Sequence, residues 1–203
     1  MLYGYAPCDL EVRRAAGTIT IVGQFNYGST ATLSAGGKGR RPLKERIHSE
    51  AFSFAVQDPE REINLLFGHS WDKPLASKLG GSLALRDTKE ALHFEARIAD
   101  EVANTSHGKD ALALLGAGLA TGVSPAFRVP DIPNAETVEQ ENPASGKALI
   151  RTVRQAVLYE LSIVTRGAYP DAQAQIDQRS WELTQSVARI PNDKRNSRLR
   201  WRL

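Results

Sequence analysis

Residues 157–165 read VLYELSIVT, and this stretch decides the fold class. Val157, Tyr159, Leu161 and Ile163 lie on one face of an extended chain, and Leu158 and Val164 on the other. A strand that is apolar on both faces is buried on both sides. Glu160 shares the second face with Leu158, Ser162 and Val164. A carboxylate in such a place needs a partner, or it neutralises.

Working outward, residues 61–68 (REINLLFG) alternate, with Ile63, Leu65 and Phe67 on one face, and this strand delivers His69 at its end. A hairpin follows: Leu83 and Leu85 on one arm, Leu92, Phe94, Ala96 and Ile98 on the other, with its turn near Asp87–Glu90. Residues 3–23 read as a strand pair turning at Gly17. Residues 26–41 are rich in Gly, Ser and Thr and read as a flexible loop, residues 43–56 as a turn and a short helix, and residues 130–147 as an exposed loop. The period changes at 106–121, where Ala111, Leu112, Leu115 and Leu119 fall at helical spacing with Gly122 as the expected cap. SPAFRV then returns to a strand. The fold class is mainly β with peripheral helices (α+β), a barrel or sandwich, and not alternating βαβ units. No repeat of solenoid or propeller period is present.

The chain has 203 residues, enough for one domain with an appendage. Its net charge is +3. Residues 177–203 carry seven Lys/Arg against three acidic residues, so this basic tail is +4 and residues 1–176 are −1. The expected division is a folded domain over 1–176 and a basic C-terminal tail over 177–203. No stretch approaches the roughly 20 apolar residues of a membrane span, and no export signal is read at the N-terminus. Cys8 is the single cysteine, which suits a reducing compartment and reads as a small filler residue. The folded part is near neutral and the chain only 7% aromatic, which argues against a nucleic-acid-binding module.

Three residues could carry chemistry. Ser124, in TGVSPAF, lies between a helix end and a strand, and Pro125 biases it toward extended backbone. Gly122-Val-Ser124-Pro-Ala126 is not a nucleophile elbow, because that motif runs strand to helix and ends in Gly. Read locally, Ser124 is more readily an ordinary helix-end residue without chemistry. His69, at the rim of a sheet, has the rigid placement a general base requires. The alternative is a hydrogen-bonded surface histidine. Metal spacing is absent, and no cofactor is implied. Glu160 could orient an imidazole, or pair with an arginine, or sit at the strand's wet end. His48, His93 and His107 are poorer candidates: a turn, a polar strand face and a helix start.

In order, the opening GYA, RIHSEAF, LLFGHSWDKPLAS, LHFEARI, GVSPAF and YELSIVTRGAYPDA resemble the prohead (capsid maturation) protease family of tailed phages, over most of residues 3–176. His48-Ser49-Glu50 stands where that family usually has Pro-Gly, and Ala76 where it has Gly. The family shares its fold with the herpesvirus protease assemblin, so the resemblance implies an assemblin-like closed β-barrel. It also implies a serine endopeptidase with an acyl-enzyme mechanism. His69 matches the family's histidine and Ser124 its nucleophile, 55 residues apart, and Glu160 the acidic third position. Backbone N–H groups near Thr165-Arg166-Gly167, with Arg166 assisting, are the expected oxyanion donors, and those after Ser124 the alternative. The implied substrates are the major capsid protein's scaffold segment and the enzyme itself, inside the immature procapsid in the bacterial host cytoplasm. Herpesvirus relatives work as dimers, so a homodimer belongs to the same expectation. A catalytically silent capsid-assembly or scaffolding protein of the same fold is the competing reading.

Overall fold

The computed structural model describes residues 2–3, 10–15, 18–144 and 146–165. Arg166, Gly167, Cys8 and the basic tail lie outside them. In chain order the elements are β1 (Leu2–Tyr3), β2 (Glu11–Ala15), β3 (Thr18–Asn26), β4 (Thr30–Ser34), β5 (Leu43–Ile47), α1 (Ser53–Gln57), β6 (Asn64–Phe67), β7 (Ser70–Ser77), β8 (Leu83–Asp87), β9 (Ala91–Ile98), α2 (Asp100–Ala103), α3 (Ser106–Gly116), β10 (Gly122–Arg128), β11 (Glu136–Gln140), β12 (Leu149–Val153) and β13 (Val157–Val164).

The mainly-β reading with few helices holds. The described strands form three sheets, ordered β1-β10-β13-β6-β7, β11-β12-β5-β4 and β2-β3-β9-β8. No closed barrel is found among them. Each sheet keeps two open edges, because its outermost strands have no second partner in the described pairing. Pairing is antiparallel except for β12 on β5 and β13 on β6. The strand pair of the N-terminal region and the β8–β9 hairpin stand where the alternation put them, and the residues around Gly17 are outside the described set.

Four stretches depart from expectation. Leu43–Ile47, inside the expected turn and short helix of 43–56, is a strand between β12 and β4. Thr30–Ser34, inside the expected flexible loop, is a strand paired with β5, with Ala31 fully buried. Glu136–Gln140, inside the expected exposed loop, pairs with β12. Ser70–Ser77 forms a strand directly after His69. The helix also ends earlier than Gly122. Gly118 takes φ +68°, its N–H donates to the Leu115 carbonyl (3.0 Å), and the Leu119 N–H donates to the Leu114 carbonyl (2.8 Å). This is a Schellman stop, which needs a left-handed residue just past the last turn. Gly122 instead opens β10, and Leu119 is exposed, not on the helix's apolar face.

One apolar core is shared by all three sheets. It takes Ile21, Phe25, Leu92 and Ile98 from the β3–β9 sheet, Ile47 and Val153 from the β5–β12 sheet, and Leu65, Phe127, Leu158 and Leu161 from the five-stranded sheet. Phe52, before α1, stacks edge-on with both Phe25 (6.2 Å between centroids) and Phe127 (5.7 Å), and so ties two sheets together. Each such side chain contributes about 1.5–3 kcal/mol by leaving water. Buried Glu45 on β5 is matched by Arg151 on the parallel β12 (3.0 Å). Burial pushes the Glu45 carboxyl up, and Arg151 pulls it back.

Candidate active site

The site is built on β13, the middle strand of the five-stranded sheet. Leu158 through Ile163 are buried except for half-buried Tyr159, as an apolar strand between two neighbours should be. Successive side chains alternate faces, so Glu160 and Ser162 point the same way. Glu160 is 1% exposed and Ser162 fully buried. On the antiparallel neighbour β10, Ser124 lies directly opposite Ser162, and Ala126 opposite Glu160. Directly opposite residues project on one face. Ser124, Ser162 and Glu160 therefore share a face, and Ser124 is buried at 4% exposure.

His69 arrives from the other side. β6 runs parallel to β13 and ends at Phe67, whose partner across the next hairpin is Ser70. Only Gly68 and His69 lie between, with φ of +66° and +58°. Two consecutive left-handed residues make a type I′ hairpin turn, the form whose twist suits paired strands. Histidine is among the few side chains enriched in that conformation. Hence His69 is the second corner of a tight turn, not the last residue of a strand.

Two backbone bonds seat this turn on β13. The Gly68 N–H donates to the Ile163 carbonyl (3.0 Å), and the His69 N–H donates to Ser162 Oγ (2.9 Å). The imidazole Nδ1 lies 2.6 Å from Glu160 Oε1. Ser162 Oγ donates to Glu160 Oε2 at 2.7 Å. An ionised carboxylate only accepts, so Nδ1 carries the hydrogen in this pair. The neutral ring then presents Nε2 as its basic nitrogen. The His69 side chain keeps 21% of its surface open, against 2% for Glu160. An imidazole oriented through Nδ1, on a sheet face that also carries a serine, can run general-base chemistry.

The other histidines stand apart from this arrangement. His48 is exposed, with Nδ1 against the Ser49 carbonyl, and His107 on α3 is half-buried, with Nε2 against the Pro74 carbonyl. His93 lies on the face of β9 that also carries exposed Glu95 and Arg97. Among the described residues no group of three or more His, Cys, Asp or Glu could hold a metal ion, and no helix is long and apolar enough to cross a membrane. Ser162 was placed on the Glu160 face by its i, i+2 spacing, but nothing in the sequence assigns its two bonds.

A family model described as caudovirus prohead serine protease matches residues 10–187. The chain belongs to that family. Prohead serine proteases are enzymes of capsid maturation, and membership implies capsid-protein substrates inside the prohead. The match spans His69, Ser124 and Glu160 together with every described strand from β2 to β13. No curated protein and no solved structure gives a significant match.

Proposed function

We propose that this chain is a serine endopeptidase that cleaves the scaffold segment of the major capsid protein, and itself, during prohead maturation. Ser124 is the nucleophile, His69 the general base, and Glu160 the group that orients His69. The observation that carries this reading is the 2.6 Å contact of His69 Nδ1 with buried Glu160, on the sheet face that also bears Ser124.

In this mechanism His69 Nε2 takes the Ser124 hydroxyl proton as Oγ attacks the peptide carbonyl. The tetrahedral oxyanion collapses, the C–N bond breaks, and His69 returns its proton to the leaving amine. Water, deprotonated by the same imidazole, then releases the acyl group. Oxyanion stabilisation is assigned to backbone N–H groups of the Thr165-Arg166-Gly167 segment, with Arg166 assisting. The support is positional. Val164 pairs with Gly122, so the chain leaves β13 only two residues beyond the partner of Ser124. Pro125 has no N–H to offer from the other side.

The enzyme works inside the immature procapsid in the host cytoplasm. The segment 177–203, at +4, is suited to an acidic scaffold partner and is separate from the protease domain of 1–176. The fold reading extends to an assemblin-like barrel, for which the core shared by three sheets is the support; the homodimer rests on the resemblance alone.

The test is Ser124→Ala co-expressed with the capsid protein. Processing should stop while the fold, read by circular dichroism, is unchanged. Unaltered cleavage would overturn the assignment of Ser124. Labelling of the wild type by a fluorophosphonate, absent in Ser124→Ala, is the complementary measurement.

A further inference from the structure

We propose that Ser162 is a positioning residue of the site: its hydroxyl holds both the backbone of His69 and the carboxylate of Glu160. This inference rests on the reading of His69 and Glu160 given above and adds a fourth member to it.

Ser162 occupies a strand position where an apolar residue would be expected. Its neighbours Leu161 and Ile163 are fully buried, and Ser162 itself has no exposed surface. A buried hydroxyl must use its hydrogen-bonding capacity or lose roughly 1–3 kcal/mol. Both uses here go to the site. Oγ accepts from the His69 N–H and donates to Glu160 Oε2. With the Nδ1–Oε1 contact, the bonds close a ring: His69 amide to Ser162, Ser162 to Glu160, and Glu160 back to the His69 imidazole.

The ring has two physical consequences. His69 is held at two points, main chain and side chain, which fixes the direction of the ring and not only its location. Its backbone sits in the left-handed region at φ +58°. That conformation is unfavourable for a residue with a Cβ and persists where its surroundings impose it. The amide bond to Ser162 is one such constraint. Secondly, the hydroxyl occupies Oε2, so that Oε1 is the oxygen turned to the imidazole. A carboxylate with one oxygen committed has one orientation left for the other. Ser162 also stands directly opposite Ser124, so it spaces the nucleophile's strand from the histidine's turn.

The experiment uses the full chain in a peptide- or capsid-protein-cleavage assay with Ser162→Ala, Ser162→Thr and Ser162→Val. Misplacing a reacting group by about 1 Å costs on the order of a hundredfold. Ser162→Ala should therefore lose between about tenfold and a hundredfold in kcat, with KM within about threefold. Ser162→Thr, which restores the hydroxyl, should recover activity above Ser162→Val, which has the same shape without it. The downfield proton resonance of the His69 Nδ1–H should be sharp in the wild type and lost or broadened in Ser162→Ala. A kcat for Ser162→Ala within threefold of wild type, or Val equal to Thr, overturns the proposal. Should Ser162→Ala fail to fold, hydrogen exchange on the wild type decides: a protected His69 amide supports it, and a freely exchanging one overturns it. His69→Ala separates the two levels. If that variant stays active, the underlying reading fails. If it is dead while Ser162→Ala is unimpaired, only the positioning role fails.

Discussion

His69 and Glu160, 91 residues apart in the chain, meet at 2.6 Å between Nδ1 and Oε1. The meeting depends on two pieces of geometry. Parallel pairing sets Glu160 beside Asn64, at the start of β6, so that β6 and β13 run together for four residues. The I′ turn then folds the chain back at Gly68–His69, returning the ring toward β13.

Glu160→Gln should reduce kcat by about 10²- to 10⁴-fold with little change in the folded structure. The amide keeps the shape of the carboxyl but offers an N–H₂ where the imidazole needs an acceptor, and it stabilises no imidazolium. Steady-state cleavage kinetics check this, and a loss below threefold would remove Glu160 from the orienting role.

Gly68 should tolerate Asn far better than Val. A Cβ at this position meets nothing within 4 Å, so space is not the constraint. Its φ of +66° is, and Asn enters that region readily whereas a β-branched side chain does not. Gly68→Asn should keep kcat within about threefold, and Gly68→Val should lose activity and stability together. Thermal melts run beside the cleavage assay separate the two effects.

Tyr27→Phe should destabilise the protein by about 1–2 kcal/mol at neutral pH, and by less in acid. Tyr27 donates to Asp87 Oδ1 at 2.5 Å, and Ser53 donates to Oδ2 at 3.1 Å. Burial raises the Asp87 carboxyl, and these two hydroxyls pull it down. Removing one lets the folded-state pKa rise further. The loss is therefore complete above that raised pKa and shrinks as pH falls through it toward the wild-type value, where Asp87 is protonated in both proteins. Denaturant unfolding at neutral pH and near pH 4 measures the difference. A cost independent of pH would show that the phenol acts by packing alone.

Gly108→Ala should destabilise by about 1–3 kcal/mol, although alanine is the better helix former by about 1 kcal/mol. Gly108 lies in the first turn of α3, and its N–H donates to the capping hydroxyl of Thr105 at 3.0 Å. A Cβ there would stand 2.0 Å from the Val102 carbonyl oxygen, a backbone atom that cannot step aside alone. A higher melting temperature for the alanine variant would mean that the α2–α3 corner relaxes freely.

Much of the architecture is legible without coordinates. The doubly apolar β13, the alternating β9 and the helical period of α3 carry strong signals, because buried surface imposes its period on the residues that cover it. Of the strands that went unread, β4, β7 and β11 are outermost in their sheets, whereas β5 lies between β12 and β4. An edge strand has one neighbour and much solvent, so it needs little apolar alternation. Polar sequences such as ETVEQ, or SWDKPLAS with its proline, serve there. The hidden β7 is also why His69 reads as a strand terminus when it is the corner of a hairpin.

By itself the sequence determined that a carboxylate lies in an apolar strand, that His69 follows directly on a strand, and that Glu160 and Ser162 share a face; it read Ser124 as a helix–strand junction, whereas Ser124 lies inside β10. Those are local facts, set by alternation and by turn chemistry within a few residues. Only the tertiary structure decided which partner Glu160 takes. An arginine would have satisfied the same carboxylate. The imidazole does so because a parallel register, a left-handed turn and the Ser162 hydroxyl converge on it, and pairing between two strands so far apart in the chain leaves no mark on either segment alone.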